Sequence, residues 1–315
     1  MSGDVNGLHH VGHIVRSMNE AIELYRRLGF SVSAPVHPVL PGAAEAFGVA
    51  NAHVHFPGGF VELVAVIGDG SHLPAGARPI PLEVPEERRA GLEAAIRVTV
   101  ANIAAFAERF EGVHIMIADA RDLDGVAARL TAGGVHHGGV HAVQRPVETG
   151  AGISMEPARY LEISDPALAA GRVPEGRIGF AENLPGGASP APVDHPNGAT
   201  GLAECVLCVD DATLPEVKRR YAAYFEGPAG VGQTGVTVVA ASALGEMLPG
   251  ERPAALPSFV AYAVTVRDVA AAERLLLGSG VPVARTTDGE AFVPAGAALG
   301  AAIIFRQEGT GDSRL

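Results

Sequence analysis

The chain has 315 residues, with 35 acidic against 23 basic side chains for a formal net charge of -12, and it is 48% hydrophobic but only 5% aromatic. That length suits two domains of ordinary size with sizeable cores, and the composition is that of a folded rather than a disordered chain. The acidic balance, with no run of Lys or Arg, argues against nucleic acid and anionic membrane as partners.

The first residues, Met1-Ser2-Gly3-Asp4, carry no basic-then-apolar leader, so a cytoplasmic location is expected. From Leu8 a pattern of strand, helix cap, amphipathic helix and glycine begins, and it recurs four times. In the first copy Leu8 to Val15 reads as a strand and Ser17 to Glu20 as a capping box. Met18, Ala21, Ile22, Tyr25 and Leu28 then form a helical stripe that stops at Gly29. Ala52 to Phe56 and Phe60 to Val66 follow as strands of a hairpin across Pro57-Gly58-Gly59.

Residues 84–111, rich in Ala, Glu and Arg, read as an inserted helix. The second copy runs from Val113 to Ala118 into Asp122, with Leu123, Val126 and Leu130 as its stripe and Arg159 to Ile163 as a later strand. Residues 181–200 are heavy in Pro, Gly, Ala and Ser and form the expected linker between halves 1–180 and 201–315. The third copy is Ala203 to Val209 with Thr213 to Glu216 as a capping box and Gly235 to Ala240 as a strand. The fourth is Phe259 to Val266 with Asp268 as cap and Ala301 to Phe305 as a strand. Cys205 and Cys208 lie in one strand at an odd spacing that sends them to opposite faces, which favours two structural thiols over a redox or zinc pair. The longest nearly unbroken apolar stretch, Gly296 to Phe305, is far short of the roughly 20 residues that span a bilayer.

The motif formed by Leu8 to Val11, Ser17, Tyr25, Leu28, Gly29 and Phe30 resembles the opening of vicinal-oxygen-chelate proteins. Asn51 with Phe60 to Leu63, and later His195-Pro196-Asn197-Gly198, resemble the glyoxalase-like branch. The resemblance implies an α+β fold of four tandem βαβββ modules, paired into two curved, cup-like mixed sheets. It further implies a divalent metal (Zn, Fe, Mn, Ni or Co) held by the first and last strands of a module pair. In this chain those positions are His10 and Glu62, with Glu162 from module two and a fourth group at His114. Counting back from Asp122, the matching register falls on Ile115, so His114 faces the cup only if a bulge shifts the phase.

Glu62 and Glu162 each interrupt an apolar strand, a costly setting for a carboxylate unless a cation or partner offsets it. The leading expectation is therefore a metal-dependent lyase or isomerase acting on a small oxygen-rich substrate, with Glu162 as displaceable ligand and base and His53 assisting in proton transfer. The alternatives are a metal-free protein that sequesters a small molecule against Phe56, Phe60 and Tyr160, and a ring-cleaving dioxygenase. The second half lacks the set: Glu204 takes the register of His10, and Ala261 takes it in module four. The expected partners are a small-molecule substrate and, as a further option, a second copy in a homodimer.

Overall fold

At three strand-to-helix junctions a short polar side chain, Ser17, Asp122 or Asp268, accepts from an otherwise orphaned amide of the first helical turn. In the computed structural model, which describes residues 4–39, 48–67, 73–82, 85–149, 152–183, 193–225 and 235–309, β1 (Val5–Ile14) passes through Ser17 into α1 (Met18–Arg27). The Ser17 hydroxyl accepts from Glu20 N at 3.3 Å. Gly29, at φ +82°, supplies the left-handed stop, and β2 (Val36–Val39), β3 (Gly48–Phe56) and β4 (Gly59–Ile67) complete module one. A short strand not anticipated from the sequence, β5 (Arg78–Pro81), pairs in parallel with β2 before the inserted helix α2 (Glu86–Arg109). Module two is β6 (Gly112–Ala120), α3 (Leu123–Ala132), β7 (His141–Thr149), β8 (Gly152–Glu162) and β9 (Arg177–Asn183), with Asp122 capping α3 on Gly125 N at 3.0 Å.

Parallel pairing of β1 with β4 and of β6 with β9, joined by the antiparallel pair β1 and β6, gives the order β5-β2-β3-β4-β1-β6-β9-β8-β7. Of the expected linker, residues 184–192 lie outside the described residues, while 181–183 belong to the last strand of module two and 199–200 open the next strand. Its end, His195 to Gly198, latches onto module one: His195 Nε2 donates to the His55 carbonyl at 2.9 Å, His195 Nδ1 accepts from Ser31 N at 3.1 Å, and Asn197 Nδ2 donates to the Leu28 carbonyl at 3.0 Å.

Module three is described only in part. Its described elements are β10 (Ala199–Val209), α4 (Leu214–Phe225) and β11 (Val236–Ala240), and β11 pairs in parallel with β10 as the last strand of a module does. Residues 226–234, between α4 and β11, lie outside the described residues. The Thr213 hydroxyl, at the start of α4, donates to the Asp210 carbonyl at 3.0 Å. After the short helix α5 (Leu244–Met247), module four is a full unit of β12 (Ser258–Val266), α6 (Val269–Gly278), β13 (Ala284–Arg285), β14 (Ala291–Val293) and β15 (Ala302–Gln307). The two curved sheets are continuous through one pairing of Phe259 with Val113.

The inner faces of both half-sheets and the four module helices share one core, to which Val11, Tyr25, Met116, Cys205, Tyr262 and Phe305 belong. Cys208 packs on the opposite face with Leu244 and Leu248, which fill the concave side of the second half. Both thiols are free and buried, and burial raises Cys208 to about 11. By length and composition alone α2 could cross a bilayer, which the search for unbroken apolar runs missed because single charges punctuate it. It packs Ile103 and Phe106 into the concave face of the first half.

Two buried polar networks tie the halves together. Tyr262 and Tyr25 hydroxyls lie 2.8 Å apart, Tyr25 OH donates to His13 Nδ1 at 2.8 Å, and His13 Nε2 donates to the Leu299 carbonyl at 2.7 Å. The carbonyl can only accept, which fixes this tautomer. Glu175, fully buried, takes both Arg220 Nη2 contacts (2.8 and 3.0 Å) and the Tyr221 hydroxyl at 2.8 Å.

Removing one partner of a buried ion pair leaves the other charge uncompensated, so Arg220→Leu should lower the unfolding free energy by about 3 kcal/mol in urea denaturation. Burial lowers His13 from 6.5 to about 4. Below pH 6.5 the unfolded chain therefore takes up a proton that the folded chain refuses. Stability should fall as pH drops from 6.5 toward 4, by about 3 kcal/mol for this group, and His13→Gln should flatten that slope.

Candidate active site

The concave face of the first half is read across six strands. One row in register is His53, Glu62, Gly12, Ile115 and Arg177; the next is His55, Phe60, His10, Ile117, Gly179 and Glu162. Gly12 is needed where it stands, because a Cβ there would lie 2.7 Å from the Cβ of Ile115. Ile103 and Phe106 of α2 pack onto Ile14, Val64, Ile115 and Ile117. This apolar wedge occupies the middle of the face, and a cavity lies to each side.

The first cavity, about 380 Å³, is walled by β2 to β5 and reached by Gln144 and Met155 of the β7 and β8 hairpin. Within it Asn51 Nδ2 donates to Glu62 Oε1 at 2.7 Å, and His53 Nε2 lies 3.8 Å from the same oxygen. Asn51 Oδ1 is buried without a hydrogen-bond partner. The Phe60 ring is surrounded by imidazoles: His10 stacks on it at 4.5 Å and 9°, with His53 at 5.2 Å and His55 at 5.8 Å.

Of the residues expected from the sequence, Glu62 and His53 come together, and the others do not join them. His10 lies against Phe60 with its Nδ1 2.8 Å from His9 Nδ1. Glu162 lines the second cavity, where its carboxylate is paired with Nε and Nη2 of Arg177. Four strand steps separate it from Glu62, roughly 19 Å along the sheet. The sequence reading placed Glu162 on the last strand of module two. It sits instead on β8, the third strand, and its counterpart in module one is His53. Ser17 and Asp122 each follow the equivalent strand position by seven residues, so Ile115 corresponds to His10, and Gly179 to Glu62. Module two thus offers an isoleucine and a glycine where a paired ligand set would need donors.

The bulge required at His114 does occur, since Gly12 and His13 pair with Ile115 and Val113 and leave His114 as the extra residue. It turns the imidazole into protein: His114 is fully buried between Phe106 at 5.0 Å and Phe110 at 4.0 Å, and Nε2 donates to the Phe110 carbonyl at 2.9 Å. Burial lowers it to about 4, so it is neutral, and it lines neither cavity. A divalent cation needs its donors about 2 Å from one point. Among the described residues no three His, Cys, Asp or Glu side chains are so gathered, and the expected set does not fit a metal centre.

Arg177 and Gly179 were missed by sequence reasoning, although the buried alternation Ile178 and Phe180 behind Gly176 marks a strand. Asn51 was noted only as a mark of the module end, with no signal that it would hold Glu62.

The family model described as a glyoxalase-like domain matches residues 8–225. Comparison with curated proteins gives no match. Among solved structures, a mutant of 4-hydroxymandelate synthase from Streptomyces coelicolor aligns with TM-score 0.55 at 12% identity, over 96% of this chain and 93% of that one. The Mn(II)-bound glyoxalase from Novosphingobium aromaticivorans aligns at 0.53 and 11%, over 98% and 83%, and a hypothetical protein from Staphylococcus aureus at 0.52 and 8%, over 96% and 100%. At these identities the likeness is one of fold.

Calorimetric titration with Zn, Mn, Co, Ni or Fe(II) should yield no stoichiometric binding that depends on Glu62. A one-to-one heat that disappears in Glu62→Ala would reinstate the centre first expected at His10 and Glu62.

Proposed function

This chain belongs to the glyoxalase-like domain family of the vicinal-oxygen-chelate superfamily, and on that footing we propose that it is an acid–base enzyme of lyase or isomerase type acting on a small oxygen-rich metabolite in the first cavity. The observation that carries this reading is the approach of Asn51, Glu62 and His53 at the wall of a cavity otherwise lined largely by apolar groups. Glu62 is the base in place of Glu162, whose carboxylate is engaged by Arg177. Asn51 aims the carboxylate through its amide N–H. Glu62 takes a proton from carbon next to a carbonyl, and His53, close enough to share charge with it, gives a proton to the developing oxygen. A metal would supply Lewis-acid polarisation of that oxygen, but the donors present do not hold one, and no step here depends on it.

Phe60 favours a second reading. A ring stacked by His10 and edged by two further imidazoles is a surface for a planar ligand, and sequestration without turnover would use it.

The test is exchange of substrate carbon-bound hydrogen with deuterated water, followed by proton NMR over a panel of small hydroxy and keto acids. Glu62→Gln should reduce exchange by about 10²- to 10⁴-fold and His53→Ala by a smaller factor, with the fold retained. Exchange unaffected by Glu62→Gln would overturn the assignment, and tight binding with no exchange in the wild type would favour sequestration.

A further inference from the structure

The second cavity, about 420 Å³, lies between α2, β8 and the connection from residue 164 to 177. Its charges do not balance. Glu162 is neutralised by Arg177, and the nearby buried carboxylate Glu175 is satisfied by Arg220 and Tyr221. Arg172 has no such partner. Its guanidinium carbon stands 4.7 Å over the Phe106 ring, its side chain makes no hydrogen bond or ion pair with any described residue, and its Nε is buried and unsatisfied. Arg109, which donates to the Pro174 carbonyl at 3.2 Å, is drawn to Glu175 more than it is repelled by Arg172, so it leaves Arg172 without a carboxylate of its own.

A guanidinium held over an aromatic ring and engaged by no carboxylate among the described residues can offer its donors to two oxygens of one group. The Ser164 hydroxyl accepts from Gly171 N at 3.0 Å and keeps its own proton to give, and the Asn102 amide lines the same space. Ala95 and Val98 of α2 contribute the apolar part of the wall.

We propose that this cavity is a ligand site separate from the Glu62 site, and that it takes a small organic molecule bearing an oxyanion, either a carboxylate or a phosphate monoester. Arg172 clamps the oxyanion, Ser164 donates to it, and the carbon skeleton lies against α2. Glu162 does not repel the ligand because Arg177 holds its charge.

The probes are sodium benzoate, phenyl phosphate and neutral benzamide, applied to the full chain by calorimetry and thermal melting. Benzoate or phenyl phosphate should bind saturably and raise the melting temperature, the tighter of the two identifying the headgroup, and benzamide should do neither. Arg172→Met, with circular dichroism and buffer melting temperature unchanged, should weaken anion binding at least about tenfold, and Arg172→Lys should fall between. Glu62→Gln should bind as the wild type does. Absence of saturable binding of either anion, or equal binding by Arg172→Met, overturns the proposal. If Arg172→Met does not fold, Ala95→Glu, which sets a carboxylate at the exposed edge of the cavity, must abolish binding, and retained binding overturns the proposal equally.

Discussion

The antiparallel pairing of β1 with β6 governs the rest of the structure. It fuses two modules into one curved sheet and decides which side chains from six strands meet on the concave face. One of the three register shifts in that pairing, between Gly12 and His13, turns His114 away from both cavities, while the absence of a side chain at Gly12 lets Ile115 lie across the centre. Once an isoleucine stands there, apolar burial rather than coordination is the stable way to fill the middle. The chemistry is pushed out to the two sides.

Both halves cover their concave faces, but to different depths. In the second half Leu244 and Leu248 seal the face against Val206, Ala261 and Ile304. In the first half only the end of α2 carrying Ile103 and Phe106 is driven in, so space remains on either flank. The two remaining cavities differ in kind: one presents a carboxylate held by an amide beside an imidazole, the other an arginine surplus. A helix inserted between modules one and two has turned a single chamber into two compartments of opposite character.

Much of this was legible in the sequence, because caps and helical stripes are local. Ser17, Asp122 and Asp268 act as helix caps where the pattern placed them, the hairpin turns at Gly58, and α2 falls within 84–111. Pairing is not local, and the errors gather there. Glu162 looked like a last-strand residue because its apolar neighbours match those of Glu62, while the strand that completes module two, beginning at Arg177, lies beyond a long connection. The partner of each buried charge was equally hidden. Glu162 meets Arg177 at a separation of 15 residues and Glu175 meets Arg220 at 45, and nothing in the spacing of either pair marks it. His13 carries no mark in the sequence of its place in a buried chain reaching module four.

That chain bears on what counts as a domain here. His13 depends on a carbonyl at Leu299, and Tyr25 on a hydroxyl at Tyr262, so the first half keeps part of its own interior polar bonding on residues some 240 to 290 positions downstream. Truncation after β9 would strand an imidazole and a phenol in apolar surroundings and lay open the face that now packs on β10. The boundary of the repeat therefore does not divide the buried polar bonding, which runs from module one into module four.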